Sequence, residues 1–78
     1  MKTTLYFQTV RRRPDRAWIR DEWIERTIAA PEKAEVQSDG RRRRWRRIPE
    51  AEGRILRVVL LPDDETVHNA FFDRNVTL

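Results

Sequence analysis

The sequence predicts an α+β fold in which one helix packs on one face of a mostly antiparallel sheet of about five strands, in the order β-α-β-β-β-β. Two hairpin patterns and one helical pattern predict this class. Arg54 to Phe72 contains the longest apolar run, a turn and a returning strand, and Asp39-Gly40 separates two further strand-like runs. Only one stretch has the spacing of an amphipathic helix. The 78 residues are expected to form a single domain over 1–78, of which 73–78 is a tail.

The N-terminal half is expected to begin with a strand and to continue into the helix. Thr3 to Val10 is rich in β-branched and aromatic residues, which favours a strand. The helix is expected from about Asp15 to Ala30, because Pro14 suits its first turn and Pro31 ends it. Trp18 lies at the edge of the polar face of this helix. It is expected either to be partly covered by neighbouring arginine side chains or to form a contact surface.

The next two strands are expected at Glu32 to Gln37 and at Arg41 to Ile48. The Asp39-Gly40 pair between them indicates a two-residue hairpin turn in which both residues have positive φ. The second strand reads R-R-R-R-W-R-R-I, so neither of its faces can be fully buried. We expect this strand near an edge of the sheet or on an open sheet surface, anchored by Trp45 and Ile48.

The last two strands form the centre of the predicted core. Ile55 to Leu61 is apolar except for Arg57 and is expected to be buried on both faces. Pro62 to Glu65 is the turn, and Thr66 to Phe72 is the final strand, closed by an Asp73–Arg74 salt bridge. Since a single helix covers only one face of a sheet, the other face is expected to be solvated, paired with another subunit or used for binding.

Composition limits the classes of function. The chain has a formal net charge of +4 and no cysteine, and fifteen of its seventeen basic residues are arginine. Arginine presents a planar set of donors that suits phosphate, which favours nucleic acid, although a GC-rich genome also produces arginine-rich surfaces. The N-terminal residues lack a signal-peptide pattern, and no segment has the length and apolarity of a membrane span. A cytoplasmic location without membrane contact is therefore expected.

The candidate catalytic residues are His68 and Arg57. A single histidine without cysteine gives no metal-ligand cluster, and no cofactor-binding motif is present, so neither a metal nor a cofactor is expected. If the chain is an enzyme, it is a metal-independent endoribonuclease in which His68 acts as base or acid. Arg57, Arg54 or Arg74 would neutralise the charge that develops on the phosphate. The alternative is a strand histidine bonded to a neighbour, with Arg57 paired to an acidic residue.

The arginine-rich strand supplies a second candidate surface. Arg42, Arg44 and Arg46, with Trp45 among them, are typical of a strand that follows a phosphate backbone and stacks a base. Arg54 and Arg74 are expected to belong to the same nucleic-acid-binding set. Charge of this kind also protects an edge strand from aggregation, so the run does not decide between the two interpretations.

Five short motifs in this order resemble a family of small bacterial proteins of unknown function. They are R-P-D-R at 13–16, W-I-E-R at 23–26, Q-S-D-G-R at 37–41, L-R-V-V-L at 56–60 and T-V-H-N-A-F-F-D-R at 66–74. That family is similar to the RelE/ParE and BrnT toxins of toxin–antitoxin pairs. The resemblance implies a compact α+β fold, cleavage of mRNA and an antitoxin-like protein as partner. The chain departs from RelE and ParE in lacking their usual second helix, and its only tyrosine, Tyr6, lies in the first predicted strand.

Three hypotheses for function follow. The first is a RelE/ParE-like, toxin-like domain that acts on RNA, with its catalytic activity left open. The second is a non-catalytic nucleic-acid-binding module. The third is a protein-interaction domain whose open sheet face binds an antitoxin-like protein or forms a homodimer. Loss of cleavage without loss of binding in His68→Ala would separate the first hypothesis from the second.

Overall fold

The computed structural model describes all residues, 1–78, and shows two short α-helices followed by four strands. The elements in chain order are α1 (Leu5–Val10), α2 (Asp21–Ala29), β1 (Lys33–Val36), β2 (Arg42–Ile48), a one-turn 3-10 helix (Pro49–Ala51), β3 (Arg54–Leu60) and β4 (Val67–Phe72). The class is therefore α+β, as predicted, but the sheet has four strands rather than five. Neither α-helix has the length and apolarity needed to cross a membrane.

The strands form one open antiparallel sheet in the order β1-β2-β3-β4. Trp45 of β2 pairs with Lys33 of β1 and with Arg57 of β3, which in turn pairs with Phe71 of β4. A β-bulge interrupts the pairing of β3 with β4 next to Val59. Because side chains alternate along each strand, Trp45, Arg57 and Phe71 share one face of the sheet. We call it the open face.

The core lies between the helices and the other face of the sheet. Its members alternate along β3 and recur at helical spacing in α2, as expected when each element buries one face. The clustered core residues are Phe7, Ile19, Trp23, Ile24, Ile48, Ala51, Leu56, Val58, Leu60, Val67 and Ala70. α2 packs against β2 and β3 on this side, so the open face carries no covering helix.

The prediction of a first strand over Thr3–Val10 is wrong, because this segment is mostly helical. Only Thr3 bridges to the sheet, parallel to Val67. Thr4 then caps α1, since its hydroxyl oxygen accepts the Phe7 N–H at 3.1 Å. Phe7 and Val10 are both buried, and a separation of three residues places them on one side of a helix, not on one side of a strand.

The predicted helix over Asp15–Ala30 is wrong at its start, because α2 begins at Asp21. Residues 11–18 form consecutive turns, and Arg20 is extended with ψ 145°. This break lets the chain bend before the helix. As a result Ile19 enters the core, whereas Trp18 stays at the surface.

The β1–β2 hairpin has a longer loop than the two-residue turn that was predicted. The Gln37 N–H donates to the Arg41 carbonyl at 2.7 Å, which leaves three residues in the loop. Gly40 has φ +89°, but Asp39 does not have positive φ. Asp39 contributes through its side chain, because its carboxylate accepts the Arg41 N–H at 3.0 Å. A three-residue loop needs glycine at only one position.

Candidate functional site on the open face

A cavity of about 510 Å³ opens between α1, the β1–β2 loop and strands β3 and β4. It is lined by Tyr6, Gln37, Arg41, Arg57, Val59, His68, Asn69 and Phe71. The two residues that the sequence predicts as catalytic, His68 and Arg57, therefore meet in one cavity. We call it the histidine cavity. The chain contains no group of three or more His, Asp or Glu side chains arranged to hold a metal ion.

The bulge in β4 is what aims His68 into this cavity. Val67 and Ala70 are both buried in the core, although they are three residues apart in a strand. An extra residue in the strand explains this spacing, because a bulge places two residues where regular alternation places one. His68 and Asn69 are those two residues, and both line the histidine cavity.

The His68 ring is held from two sides. Tyr6 stacks on it, with 4.9 Å between the ring centroids. Nδ1 shares a hydrogen bond of 3.2 Å with Thr4 Oγ1, which also accepts the Phe7 N–H. A hydroxyl group has two lone pairs and one proton, so Thr4 can either accept from His68 Nδ1–H or donate to Nδ1. A base at Nε2 requires the first of these two tautomers. Nε2 then keeps its lone pair, and it has no hydrogen-bond partner within the protein.

The pKa of His68 lies below its ordinary value of 6.5, because burial disfavours the charged ring and the positive charge of Arg41 disfavours it further. The ring is therefore neutral near neutral pH. A neutral imidazole with a free lone pair can accept a proton, but it supplies no positive charge to a phosphate. In this cavity the positive charge comes from Arg41 and Arg57.

Arg57 lies against two aromatic rings and keeps its hydrogen-bond donors free. Its guanidinium carbon is 5.6 Å from the Trp45 ring centroid and 5.2 Å from that of Phe71. Nη1 is 3.7 Å from Asp73 Oδ2, which is an ion pair without a hydrogen bond, and Nε is buried without a partner. The predicted Asp73–Arg74 salt bridge is therefore wrong, because Asp73 faces Arg57 instead. The guanidinium is oriented by its neighbours and can still donate to an anion.

Asp73 holds the first residues of the C-terminal tail, 73–78, over Trp45. One carboxylate oxygen accepts Trp45 Nε1–H at 3.0 Å, and the other accepts the Asn75 N–H at 2.9 Å. Burial alone would raise the pKa of Asp73, but these hydrogen bonds and the charge of Arg57 outweigh it and hold the pKa below the ordinary 3.8. Trp45 is only 3% exposed under this cover. In that position its indole ring is not free to stack a base.

The three β2 arginines that the sequence assigns to nucleic-acid binding lie on the face of the sheet that packs against α2. Arg44 Nη1 donates to the Ile28 carbonyl at 3.1 Å, and Arg46 Nη1 donates to the Ala30 carbonyl at 2.7 Å. These carbonyls lie at the C-terminal end of α2, where helical partners are missing and the helix dipole is negative. Arg42 lies on the same side of β2, 3.8 Å from a carboxylate of the β3–β4 turn. The placement of Arg44 and Arg46 favours a role in holding the helix on the sheet, and that of Arg42 favours a contact with the β3–β4 turn.

Arg54 and Arg74 line a second cavity, of about 630 Å³, where β3 begins and β4 ends. The residues predicted from the sequence thus divide into three groups. His68 and Arg57 meet in the histidine cavity, and Arg54 and Arg74 meet in the second cavity. The remaining residues of the set, all from β2, are buried or engaged on the core side.

Sequence reasoning missed three residues of the histidine cavity and its support: Thr4, Tyr6 and Arg41. The sequence predicts a strand that contains Thr4 and Tyr6, and such a strand gives no reason to place them beside His68. The signal that could have found them is Thr4 three residues before Phe7, with Val10 at helical spacing, which is typical of a capped helix. Arg41 is part of the arginine-rich run of the sequence, but it immediately precedes β2 and borders the cavity.

Comparisons with models of protein families, with curated proteins and with solved structures found no match for this chain. The resemblance to the RelE/ParE and BrnT toxins therefore stays a prediction. What the protein does has to be inferred from the geometry and charge of its own cavities.

Proposed function

We propose that the protein is a small RelE/ParE-like, toxin-like domain that binds RNA on the open face and cleaves it in the histidine cavity. One observation carries the proposal: a neutral histidine with a free Nε2 shares a cavity with Arg41 and Arg57. Cleavage of RNA by its own 2′-hydroxyl needs such a base and such cations. The proposed reaction is that of a metal-independent endoribonuclease.

In the proposed reaction His68 Nε2 takes the proton of the 2′-hydroxyl. The 2′ oxygen attacks the neighbouring phosphorus, so that a P–O2′ bond forms and the P–O5′ bond breaks. The released 5′ oxygen takes a proton from solvent, and the other product carries a 2′,3′-cyclic phosphate. Arg41 and Arg57 stabilise the negative charge on the phosphoryl oxygens as it develops. The hydrogen bond from Nδ1 to Thr4 keeps the ring oriented while it is protonated.

The test compares wild type, His68→Gln and Arg12→Gln on a labelled single-stranded RNA between pH 5 and 8. Arg12 is exposed and forms no salt bridge, so its replacement controls for the loss of a surface polar group. General-base catalysis contributes roughly 10²–10⁴-fold, so His68→Gln should lose at least about 100-fold in cleavage rate. Its affinity for RNA with 2′-O-methyl groups, which cannot be cleaved, should stay within about twofold because the binding arginines are intact. Arg12→Gln should retain the wild-type cleavage rate.

The other outcomes assign the remaining functions. Binding of RNA without cleavage by the wild type would overturn the catalytic proposal and leave a nucleic-acid-binding module. Absence of RNA binding at about 50 mM salt, where phosphate contacts are little screened, would overturn both. The open face would then be assigned to a protein partner, either an antitoxin-like protein or a second copy of the chain.

A further inference from the structure

The second cavity combines an exposed aromatic ring with arginines that have no acidic partner. The six lining residues that matter here are Arg16, Trp18, Arg54, Phe71, Phe72 and Arg74. Arg54 and Arg74 form no salt bridge within the protein, whereas most other arginines do. Asp15 and Asp73 also line the cavity, but each carboxylate already faces an arginine, Arg16 at 3.5 Å and Arg57 at 3.7 Å respectively. The two unpaired guanidiniums therefore favour an anionic ligand.

Trp18 presents a rigid aromatic surface to this cavity. Trp18 is 42% exposed, whereas Trp23 and Trp45 are 4% and 3% exposed. The ring is fixed in place, because Nε1 donates to the Asp15 carbonyl at 3.2 Å and the Phe72 ring centroid lies at 4.9 Å. Arg54 completes the site, with its guanidinium carbon 5.5 Å from the Trp18 ring centroid. A flat ring beside a guanidinium is the arrangement on which unpaired nucleobases stack.

The second cavity adjoins the histidine cavity across the Phe71 ring, which lines both. Arg57 in the histidine cavity and Arg16 in the second cavity each lie 5.2 Å from the centroid of this ring. Arg16 Nη1 also donates to Asn69 Oδ1 at 2.8 Å, and Asn69 lines the histidine cavity. A ligand bound at His68 therefore enters the second cavity if it crosses the Phe71 ring, which separates the two cavities.

We infer that the second cavity is a nucleotide subsite for the residue of single-stranded RNA adjacent to the cleaved phosphodiester. The base stacks against the Trp18–Arg54 pair, and Arg74 pairs with the phosphate. The RNA must be single-stranded, because a base inside a duplex has no free face to stack. This inference rests on the proposed function for its placement next to a cleaved bond, but the subsite itself rests on Trp18 and the two unpaired arginines.

The test uses a tetranucleotide of 2′-O-methyl RNA, which binds but cannot be cleaved, and the same molecule with one abasic residue. Trp18 is the exposed tryptophan, so stacking should quench the fluorescence of wild type and should shield it from acrylamide. Because one base–aromatic stack contributes roughly 1–3 kcal/mol, the abasic ligand should bind at least about fivefold more weakly. Trp18→Ala should bind the intact ligand more weakly by the same factor and should show no quenching of fluorescence by the ligand. Arg54→Gln with Arg74→Gln should weaken binding at least tenfold, and Arg12→Gln with Arg13→Gln, both outside the cavities, should change it less than twofold.

Equal affinity for the intact and abasic ligands, without quenching of Trp18, would overturn the subsite even if the variants failed to fold. This binding comparison does not depend on whether the protein cleaves RNA. Quenching by the tetranucleotide in a protein that leaves RNA intact would refute the endoribonuclease and retain the subsite. A protein that cleaves RNA but binds the intact and the abasic tetranucleotides equally well would refute the subsite and retain the endoribonuclease.

Discussion

Replacing Arg44 by methionine tests whether the arginine-rich strand holds the helix or binds RNA. In the structure the Arg44 guanidinium donates to the Ile28 carbonyl at the end of α2 and pairs with Asp64. The side chain is only 16% exposed, so water does not replace these partners freely. Methionine keeps most of the aliphatic packing but removes the charge and the donors. The substitution should therefore lower stability while leaving the open face unchanged.

The expected loss follows from the two contacts. A hydrogen bond from a charged group contributes about 1.5–3 kcal/mol, and an ion pair with a half-exposed carboxylate adds no more than about 1 kcal/mol. Retained packing offsets part of this, so we expect Arg44→Met to lower the free energy of unfolding by about 2 kcal/mol. At roughly 4–8 °C per kcal/mol for a domain of this size, the melting temperature should fall by about 8–16 °C.

Urea unfolding followed by circular dichroism, together with RNA affinity, measures both sides of this prediction. Arg47→Met is the matched control on the same strand, because the Arg47 side chain is 55% exposed, lies 4.0 Å from the Glu32 carboxylate and makes one exposed hydrogen bond of 3.3 Å to the Leu78 oxygen. The control should lose no more than about 0.5 kcal/mol. If Arg44→Met unfolds like the wild type but binds RNA several-fold more weakly, the structural role of this arginine is refuted.

Three further substitutions test the surroundings of the site. Asp73→Asn leaves one carbonyl oxygen where two carboxylate oxygens accept hydrogen bonds. It should therefore lower the free energy of unfolding by about 2 kcal/mol and increase the exposure of Trp45 to acrylamide. An unchanged unfolding midpoint would contradict this. Arg41→Gln should raise the pKa of His68 towards 6.5, because it removes a nearby positive charge; the ring protons of the single histidine report this by NMR. The His68 pKa is lower in the folded than in the unfolded protein, so the unfolded protein binds the proton more readily. The free energy of unfolding of the wild type should therefore decrease as pH falls from about 6.5 towards the folded pKa. A free energy of unfolding that increases as pH falls through this range would refute the burial of His68. Thr4→Val removes the helix cap and the partner of Nδ1, so it should cost about 1 kcal/mol and slow RNA cleavage; full activity would show that ring orientation does not depend on Thr4.

The C-terminal half of the fold was predictable because its patterns are strong and local. The apolar run of β3, the Pro-Asp-Asp-Glu turn and the return in β4 leave few alternatives to a hairpin. The N-terminal segment was not predictable, because six residues of mixed helix and strand propensity are too few for periodicity to distinguish a helix from a strand. There the burial of Phe7 and a single capping hydrogen bond, donated by the Phe7 N–H to the Thr4 hydroxyl oxygen, outweigh β propensity.

The candidate site was predictable only in part, for a related reason. His68 and Arg57 could be singled out by residue type, but the bulge that turns His68 onto the open face leaves no clear trace in the sequence. The amino-acid sequence of β2 contains the same arginines whether they contact RNA or the end of a helix. Which face they occupy depends on register, and a shift of one residue reverses it.

The most direct measurement on the central proposal is the chemical identity of the ends of RNA incubated with wild type and with His68→Gln. Mass spectrometry of the products distinguishes the possible reactions. Attack by the 2′-hydroxyl, with His68 as base, predicts a 2′,3′-cyclic phosphate and a 5′-hydroxyl with wild type and intact RNA with His68→Gln. Intact RNA with the wild type, or equal cleavage by the two proteins, would contradict the catalytic role assigned to His68.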